Sequence, residues 1–230
     1  MTRWREAALL LGLLLLVLLW DASGADWAVA SHFGSRSGFA ARDSFWASTL
    51  LHEGARWLSG LALLGFALDA FRSEAPRNGP SRAARRAALL ATVLCLLLVP
   101  ALKHLSLTSC PWSLAAFGGE ATWVSHWAWG QRDGGPGHCF PSGHAAGSFA
   151  FSAWLWVWLP WRRQRPVVWA LLLLAVLGGG LLTSWAQWAR GAHFVSHSLW
   201  SAWACAALSW LLLLRLQRAS APGNSSPNPA

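Results

Sequence analysis

Gln131-Arg132-Asp133-Gly134-Gly135-Pro136-Gly137-His138-Cys139-Phe140-Pro141-Ser142-Gly143-His144 is where a polar, glycine-rich loop runs into a long apolar segment. The change of composition marks a helix start. Pro141 suits a first helical turn, because its missing N–H would have no partner there. Ser142 supplies a capping hydroxyl, and Gly143 admits a ligand close to the backbone. Free N–H groups at the positive end of a helix make an anion site, with His144 held beside it. A helix start with an incidental histidine is the plainer reading of the same residues, and the rest of the chain has to decide between them.

Outward from this point the chain is apolar. Of 230 residues 55% are hydrophobic and only 12% charged, which excludes an ordinary soluble domain. The apolar runs predict an all-α polytopic membrane protein with six transmembrane helices, at roughly 7–21, 46–70, 87–102, 143–160, 166–187 and 194–214. The whole reads as a single six-span domain over 1–218. A Pro, Asn, Ser and Gly tail over 219–230 is expected to be a disordered cytoplasmic tail. Nineteen tryptophans suit a chain with two water–lipid interfaces, and Trp154, Trp156, Trp158 and Trp161 mark one of them.

The net charge of +9 would suit nucleic acid, but its placement does not, and no nucleic-acid partner is expected. Arg3, Arg5, Arg72, Arg77, Arg82, Arg85, Arg86, Arg162, Arg163, Arg165, Arg215 and Arg218 fall on one side if six spans alternate. Arg36, Arg42, Lys103, Arg132 and Arg190 fall on the other, a bias of twelve to five. The positive-inside rule then puts both termini in the cytoplasm and the 103–142 loop outside. The arginines between the second and third spans read as topology determinants and anionic-lipid contacts.

Residues 2–25 also resemble a signal peptide with a cleavage site at Ser23-Gly24-Ala25, but cleavage would leave five spans, so the segment is read as retained. The 22–45 stretch reads as a loop without a motif. In the second span, His52 and Arg56 are four apart and share a helix face. His52, Glu53 and Arg56 either line an outward-facing site or pair internally to fix helix packing. Pro100 predicts a kink in the third span. The piece from Trp123 to Trp129 is expected to lie along the membrane surface. His193 and His197, four apart, are expected to stack on one helix face.

Lys103, the Ser142–His144 turn, and Arg190 with His193 and His197 all fall at outward ends of spans. Two cations, a nest of N–H groups and several histidines suit a tetrahedral oxyanion. The lack of paired carboxylates argues against a carboxylate-bound metal; no metal and no cofactor are expected. A lysine, a Cys-Pro seven residues on, Pro-Ser-Gly-His, then an arginine with Gly-Ala-His-Phe-Val-Ser resembles the three-part signature of the type 2 phosphatidic acid phosphatases. That superfamily also holds bacterial acid phosphatases and vanadium haloperoxidases, and six spans fit its integral-membrane bacterial branch.

The resemblance implies roles. His193 is similar to the nucleophile that forms a phosphohistidine, and His144 to the acid that protonates the leaving oxygen. Lys103, Arg190 and the Ser142-Gly143 backbone look like the phosphate cradle. The chain departs from the pattern in three places. Cys110 stands where an arginine is usual. Gln187 holds the usual place of the third-motif arginine, with Arg190 three residues later. His197 replaces the aspartate that orients the nucleophile; a neutral imidazole can fix a tautomer but brings no charge. In a second register His197 is the nucleophile and Ser201 takes the aspartate's place.

The leading reading is a phosphatase or phosphotransferase acting on a lipid phosphate or diphosphate at the periplasmic face of a bacterial inner membrane. Isoprenyl diphosphates, phosphatidylglycerol phosphate and the lipid A 1-phosphate are candidates. A non-catalytic membrane protein or transporter that binds an anionic lipid is the alternative, and a haloperoxidase a weaker third. Membrane lipids are the other expected partners; the oligomeric state is open. Cys110 and Cys139 both fall in the outward loop and are expected to form a disulfide there. Cys95 and Cys205 read as packing residues within spans.

Overall fold

The structure, a computed structural model, describes residues 3–74 and 77–219, with side chains to 216. Pro76 in the basic linker and the expected disordered tail beyond 219 lie outside the described residues. The elements are α1 (Arg3–Ala22), α2 (Ala25–Phe33), a hairpin of β1 (Gly34–Ser35) and β2 (Gly38–Phe39), and α3 (Ala55–Phe71), entered through a π-helical segment, Phe45–Gly54. Then come α4 (Arg82–Leu105), short 3-10 turns at Pro111–Ser113 and Ala115–Phe117, α5 (Gly143–Phe149) and α6 (Ser152–Trp158). A further rod runs through α7 (Pro166–Leu173), a π-helical Leu174–Gly178 and α8 (Gly179–Ala189), and α9 (Val195–Ala219) closes the chain.

Helix dominates because the apolar runs leave the backbone no water to bond, so each segment satisfies its own N–H and C=O groups. Arg82–Leu105, Pro166–Ala189 and Val195–Leu216 are long and apolar enough to cross a membrane. α1 and α2 meet the same test only as a pair bent by 67°, so the described helices supply three spans, or four with that pair. The other two rods expected to span differ for local reasons. Phe45–Phe71 carries His52, Glu53 and Arg56 in its first half. The expected 143–160 span is two seven-residue helices, broken at Ala150 and Phe151.

The core is built on small side chains. Ala88, Ala91, Cys95 and Val99 of α4 are fully buried against Ala153 and Trp154 of α6 and Cys205 and Leu213 of α9. Small residues let helix backbones approach, which is how helices associate where lipid removes most of the hydrophobic drive. Polar contacts join the same seam: the Cys95 thiol faces Cys205 O at 3.6 Å, and Ser209 Oγ lies 3.2 Å from Ser152 Oγ. The large leucines, among them Leu61, Leu97, Leu171 and Leu174, point outward and are exposed.

Two expectations are corrected, for the 22–45 stretch and for Arg85, and the Trp123–Trp129 piece gains its contacts. The 22–45 stretch is not a motif-free loop but α2 and a hairpin. Asp26 fixes it by accepting from Trp20 Nε1 (2.8 Å) and from Ser196 at the start of α9. The Trp123–Trp129 piece is a run of turns folded over the end of α1. His126 Nε2 lies 3.1 Å and Trp127 Nε1 2.6 Å from the Asp21 carboxylate, while Trp123 and Trp129 stay exposed. Arg85 is not a lipid contact: it is fully buried, paired with Asp69 at 3.1 Å.

Candidate active site

The Pro-Ser-Gly-His turn is clamped to the start of α9. Ser142 is the N-cap of α5, and its Oγ accepts from Ala145 N at 3.4 Å. Its own N–H donates to His197 O (3.1 Å), and Ser201 Oγ donates to Ser142 O (2.9 Å). Pro141 therefore stands outside the helix rather than in its first turn. The Ser142 N–H is used by the fold and is not part of an anion nest. The orphan first-turn N–H groups of α5 begin at Gly143.

His193 and His197 meet, though not as a stacked pair on one helix. α9 starts at Val195, so His193 lies in the turn before it. Two devices bring it back. Gly191 has φ +70°, in the left-handed region, and a Cβ there would fall 2.3 Å from the Phe39 ring, so only glycine fits. Ala192 N then donates to Gln187 O at 2.8 Å. Asp26 caps α9 by accepting from both the N–H (2.9 Å) and the hydroxyl of Ser196. The result sets His193 Nδ1 3.4 Å from His197 Nδ1, one ring donating to the other. Both rings are buried. Burial, with the nearby His197, Lys103 and His144 adding to it, pushes the His193 imidazole well below the usual histidine range, so it is neutral at neutral pH.

His144 faces the same space, its ring centroid 6.3 Å from that of His193. Its Nδ1 is buried without a hydrogen-bond partner, and His52 lies 3.1 Å from its Nε2. His52 and Arg56 do not act as one face: the π-helical Phe45–Gly54 turns His52 inward, while Glu53 and Arg56 pair with each other at 3.2 Å and are exposed. His52 thus faces His144, whereas the Glu53–Arg56 pair is local and exposed and fixes no packing between helices.

Arg190 is nearly buried. Its Nε donates to Arg42 O (2.9 Å) and its Nη1 lies 3.4 Å from Gln187 Oε1. The Trp112 ring carries Arg42 at 4.8 Å and Arg190 at 5.8 Å, so two guanidinium groups share one aromatic support. Gln187 Nε2 is a buried donor with no partner. Lys103 sits in the last turn of α4, half-buried. Among the described residues neither Lys103 nor Arg190 is held in an ion pair. Cys110 and Cys139 are joined, Cα–Cα 5.1 Å, and Cys139 Sγ lies 3.7 Å from His193 Nδ1. Among the described residues these two sulfurs and the His193 ring are the one group of three or more close metal-ligand atoms.

Sequence reading missed several contributors. Asp26 and Asp21 lie far from the motifs in the chain, and only tertiary contact reveals them. Asp133 is buried under the loop, accepting from Ser109 Oγ (2.9 Å) and Gly135 N (3.0 Å), and orders the segment that carries Cys139. Its Asp-Gly-Gly context was the available signal, a turn carboxylate. A cavity of about 680 Å³ borders His197, lined by Asp21, Trp27, Trp123, His126 and Phe194 among others, and includes none of Lys103, His144, Arg190 or His193.

The chemistry this arrangement can do is anion binding followed by attack from a neutral imidazole. No curated protein and no solved structure matches the chain. The PAP2 superfamily pattern matches residues 86–221, which take in Lys103, the Pro-Ser-Gly-His turn and the Arg190–His197 segment. With more than half of the chain matched and the motifs converging in space, the chain belongs to the PAP2 superfamily, the type 2 phosphatidic acid phosphatases, whose members are phosphatases.

Proposed function

We propose that the chain is a six-span membrane phosphatase or phosphotransferase that cleaves a lipid phosphate or diphosphate through a phosphohistidine on His193. The observation that carries the reading is the buried His193–His197 contact at 3.4 Å, beside His144 and the donors of Gln187 and Arg190. His197 and Cys139 take up the Nδ1 side of His193, which leaves Nε2 for chemistry. Nε2 attacks phosphorus as the bond to the leaving oxygen breaks, and His144 gives that oxygen its proton. Water then attacks the phosphohistidine and returns a proton to His144. Lys103, Arg190, Gln187 and the Gly143 N–H neutralise the phosphoryl oxygens. His52, 3.1 Å from His144 and 3.6 Å from Glu53, connects the acid to an exposed carboxylate, a route for its proton.

A second feature supports a lipid substrate. An apolar groove of about 470 Å³ runs between α3, α5 and α8, from Leu51 and Gly147 near the histidines down to Phe66 and Val176. Along the rod from Leu51 to Phe66 this is about 20 Å at the helical rise, more than the roughly 15 Å of one hydrocarbon leaflet. The arginine asymmetry supports a periplasmic site in a bacterial inner membrane.

The test is purified full-length protein against a panel of lipid phosphates and diphosphates, assayed for free phosphate, for transfer to a second lipid, and for an acid-labile phosphoprotein absent from His193→Gln. Lipid binding with no release and no phosphoprotein would favour the alternative of a non-catalytic anionic-lipid binder, which Cys110 and His197 in place of the usual residues support. For the membrane face, Glu120→Cys should react with an impermeant thiol reagent from outside and Arg163→Cys should not; reversed labelling overturns the periplasmic assignment. Gly118 is unsuitable as a probe, because its φ is +84° and a Cβ would fall 2.7 Å from Arg36 O.

A further inference from the structure

The two cysteines beside His193 do more than close a loop. The Sγ atoms of Cys110 and Cys139 and a ring nitrogen of His193 all lie within 4.8 Å of one another. Cys139 Sγ to His193 Nδ1 is already 3.7 Å. A tetrahedral zinc ion with Zn–S near 2.3 Å and Zn–N near 2.0 Å needs its ligand atoms roughly 3.5–3.8 Å apart. Side-chain rotation alone covers the difference once the sulfurs are no longer bonded.

The backbone around the three residues is tied without the disulfide. Cys139 N donates to Thr108 O (3.1 Å), two residues before Cys110. Trp112 N donates to Gly191 O (2.9 Å), which joins the Cys110 segment to the His193 turn. The three ligands therefore stay assembled when the sulfur bond opens. Cys110 is half-buried and Cys139 fully buried, so a reductant reaches the Cys110 sulfur first.

We infer that reduction of the Cys110–Cys139 bond uncovers a metal site, in which both thiolates and His193 Nδ1 take a soft divalent cation of the zinc class. The step is balanced: a dithiol or phosphine reductant supplies two electrons, the S–S bond becomes two thiols, and the reductant leaves oxidised. Metal entry then releases the two thiol protons to water. Two thiolates and an imidazole select zinc-like ions over magnesium or calcium, and three protein ligands leave a fourth position for water. Coordination at Nδ1 moves the His193 ring proton to Nε2, the nitrogen that would attack, and fixes His193 in place. The metal site stands on geometry alone; its effect on turnover rests on His193 being the nucleophile. The oxidised protein is then the active form, and reduction with zinc present switches it off.

The experiment uses the full-length protein carrying Cys95→Ser and Cys205→Ser, so that no other thiol contributes. Oxidised and phosphine-reduced samples are titrated with Co²⁺ and Zn²⁺, reading thiolate-to-cobalt charge-transfer absorption and bound zinc per chain. The expected result is one ion per reduced chain, none in the oxidised protein, none after further replacing Cys110 and Cys139 by Ser, and weaker binding in His193→Ala. Phosphate release should be lost in the reduced, zinc-loaded protein and return with a chelator. Reduced protein that takes no cobalt overturns the inference, as does equal uptake without Cys110 and Cys139. A reduced chain that unfolds also overturns it, because the backbone ties would have failed. Metal uptake in a protein that releases phosphate in no state would leave the site standing and sink the phosphatase reading instead.

Discussion

Buried polar groups occupy both ends of this molecule, but they are treated differently. At the arginine end, Arg85 is fully buried and turned over to the fold. Its Nη1 pairs with the Asp69 carboxylate at 3.1 Å and also reaches Asp69 O, and its Nη2 reaches Arg72 O (3.5 Å) and Glu74 O (3.0 Å). One guanidinium thus neutralises a carboxylate and satisfies carbonyls at and just beyond the end of α3, leaving only its Nε without a partner among the described residues. At the histidine end, among the described residues, His144 Nδ1 and Gln187 Nε2 are buried with no partner, and neither Lys103 nor Arg190 is held in an ion pair. Unpaired donors and uncompensated charge are costly to bury, and their gathering beside a neutral histidine supports the proposed anion site. A buried charge on its own says little; what distinguishes fold from function is whether it has already been answered.

The comparison can be broken most forcefully at His193. His193→Gln should lower phosphate release by more than about a thousandfold while leaving thermal stability nearly unchanged. His144→Ala should lose about 10²–10⁴-fold on substrates whose leaving oxygen needs a proton, yet keep much of its rate on an aryl phosphate, which does not. A His193 variant that still turns over would show that the histidine end is a packing arrangement like the other. At the arginine end the outcome should be reversed. Arg85→Met leaves the partly exposed Asp69 carboxylate and the nearby carbonyls without their donor and should destabilise by about 1–3 kcal/mol, with unchanged turnover per folded molecule in a denaturation and activity series.

Asp26 belongs to both classes, since it caps α9 and so positions the proposed catalytic histidines. Asp26→Ala should cost about 1–2 kcal/mol through the lost cap of α9. It should also lower turnover more than substrate binding, because His193 and His197 lose their fixed spacing; equal losses in both would make it a fold residue only.

The smallest effect is in acid. The folded protein holds His193 neutral, because burial pushes its proton affinity well below the usual histidine range. The unfolded chain binds a proton at that site below about pH 6.5 and the folded chain does not. This contribution to stability is therefore complete above that value and is lost as pH falls toward the lower folded value. For the same reason a neutral nucleophile persists below pH 6.5, so turnover should not drop there through His193. In His193→Gln the acid-dependent loss of stability should shrink in thermal melts taken across this range; an unchanged pH dependence would show that His193 is not the group held neutral.

The sequence by itself determined the rods and the order of the motifs. Runs of about twenty apolar residues need internally bonded helices wherever water is absent, and the expected apolar segments are helical, although among the described residues only three helices, or four with the bent α1–α2 pair, are long and apolar enough to span. Lys103, His144, Arg190, His193 and His197 were legible because each sits beside a turn residue or at a change from polar to apolar composition. The tertiary structure decided what those residues touch. Ser142 gives its N–H to His197 O rather than to a ligand. His52 reaches His144 across 92 residues of sequence, and Asp26 caps α9 from 170 residues away. The reason is physical. Helix formation and turns depend on neighbours a few positions apart, so their signals are periodic and can be read along the chain. A contact between two rods depends on where the rods cross and which side chain the local geometry turns inward. At His52 that geometry is π-helical, which a four-residue spacing rule does not anticipate.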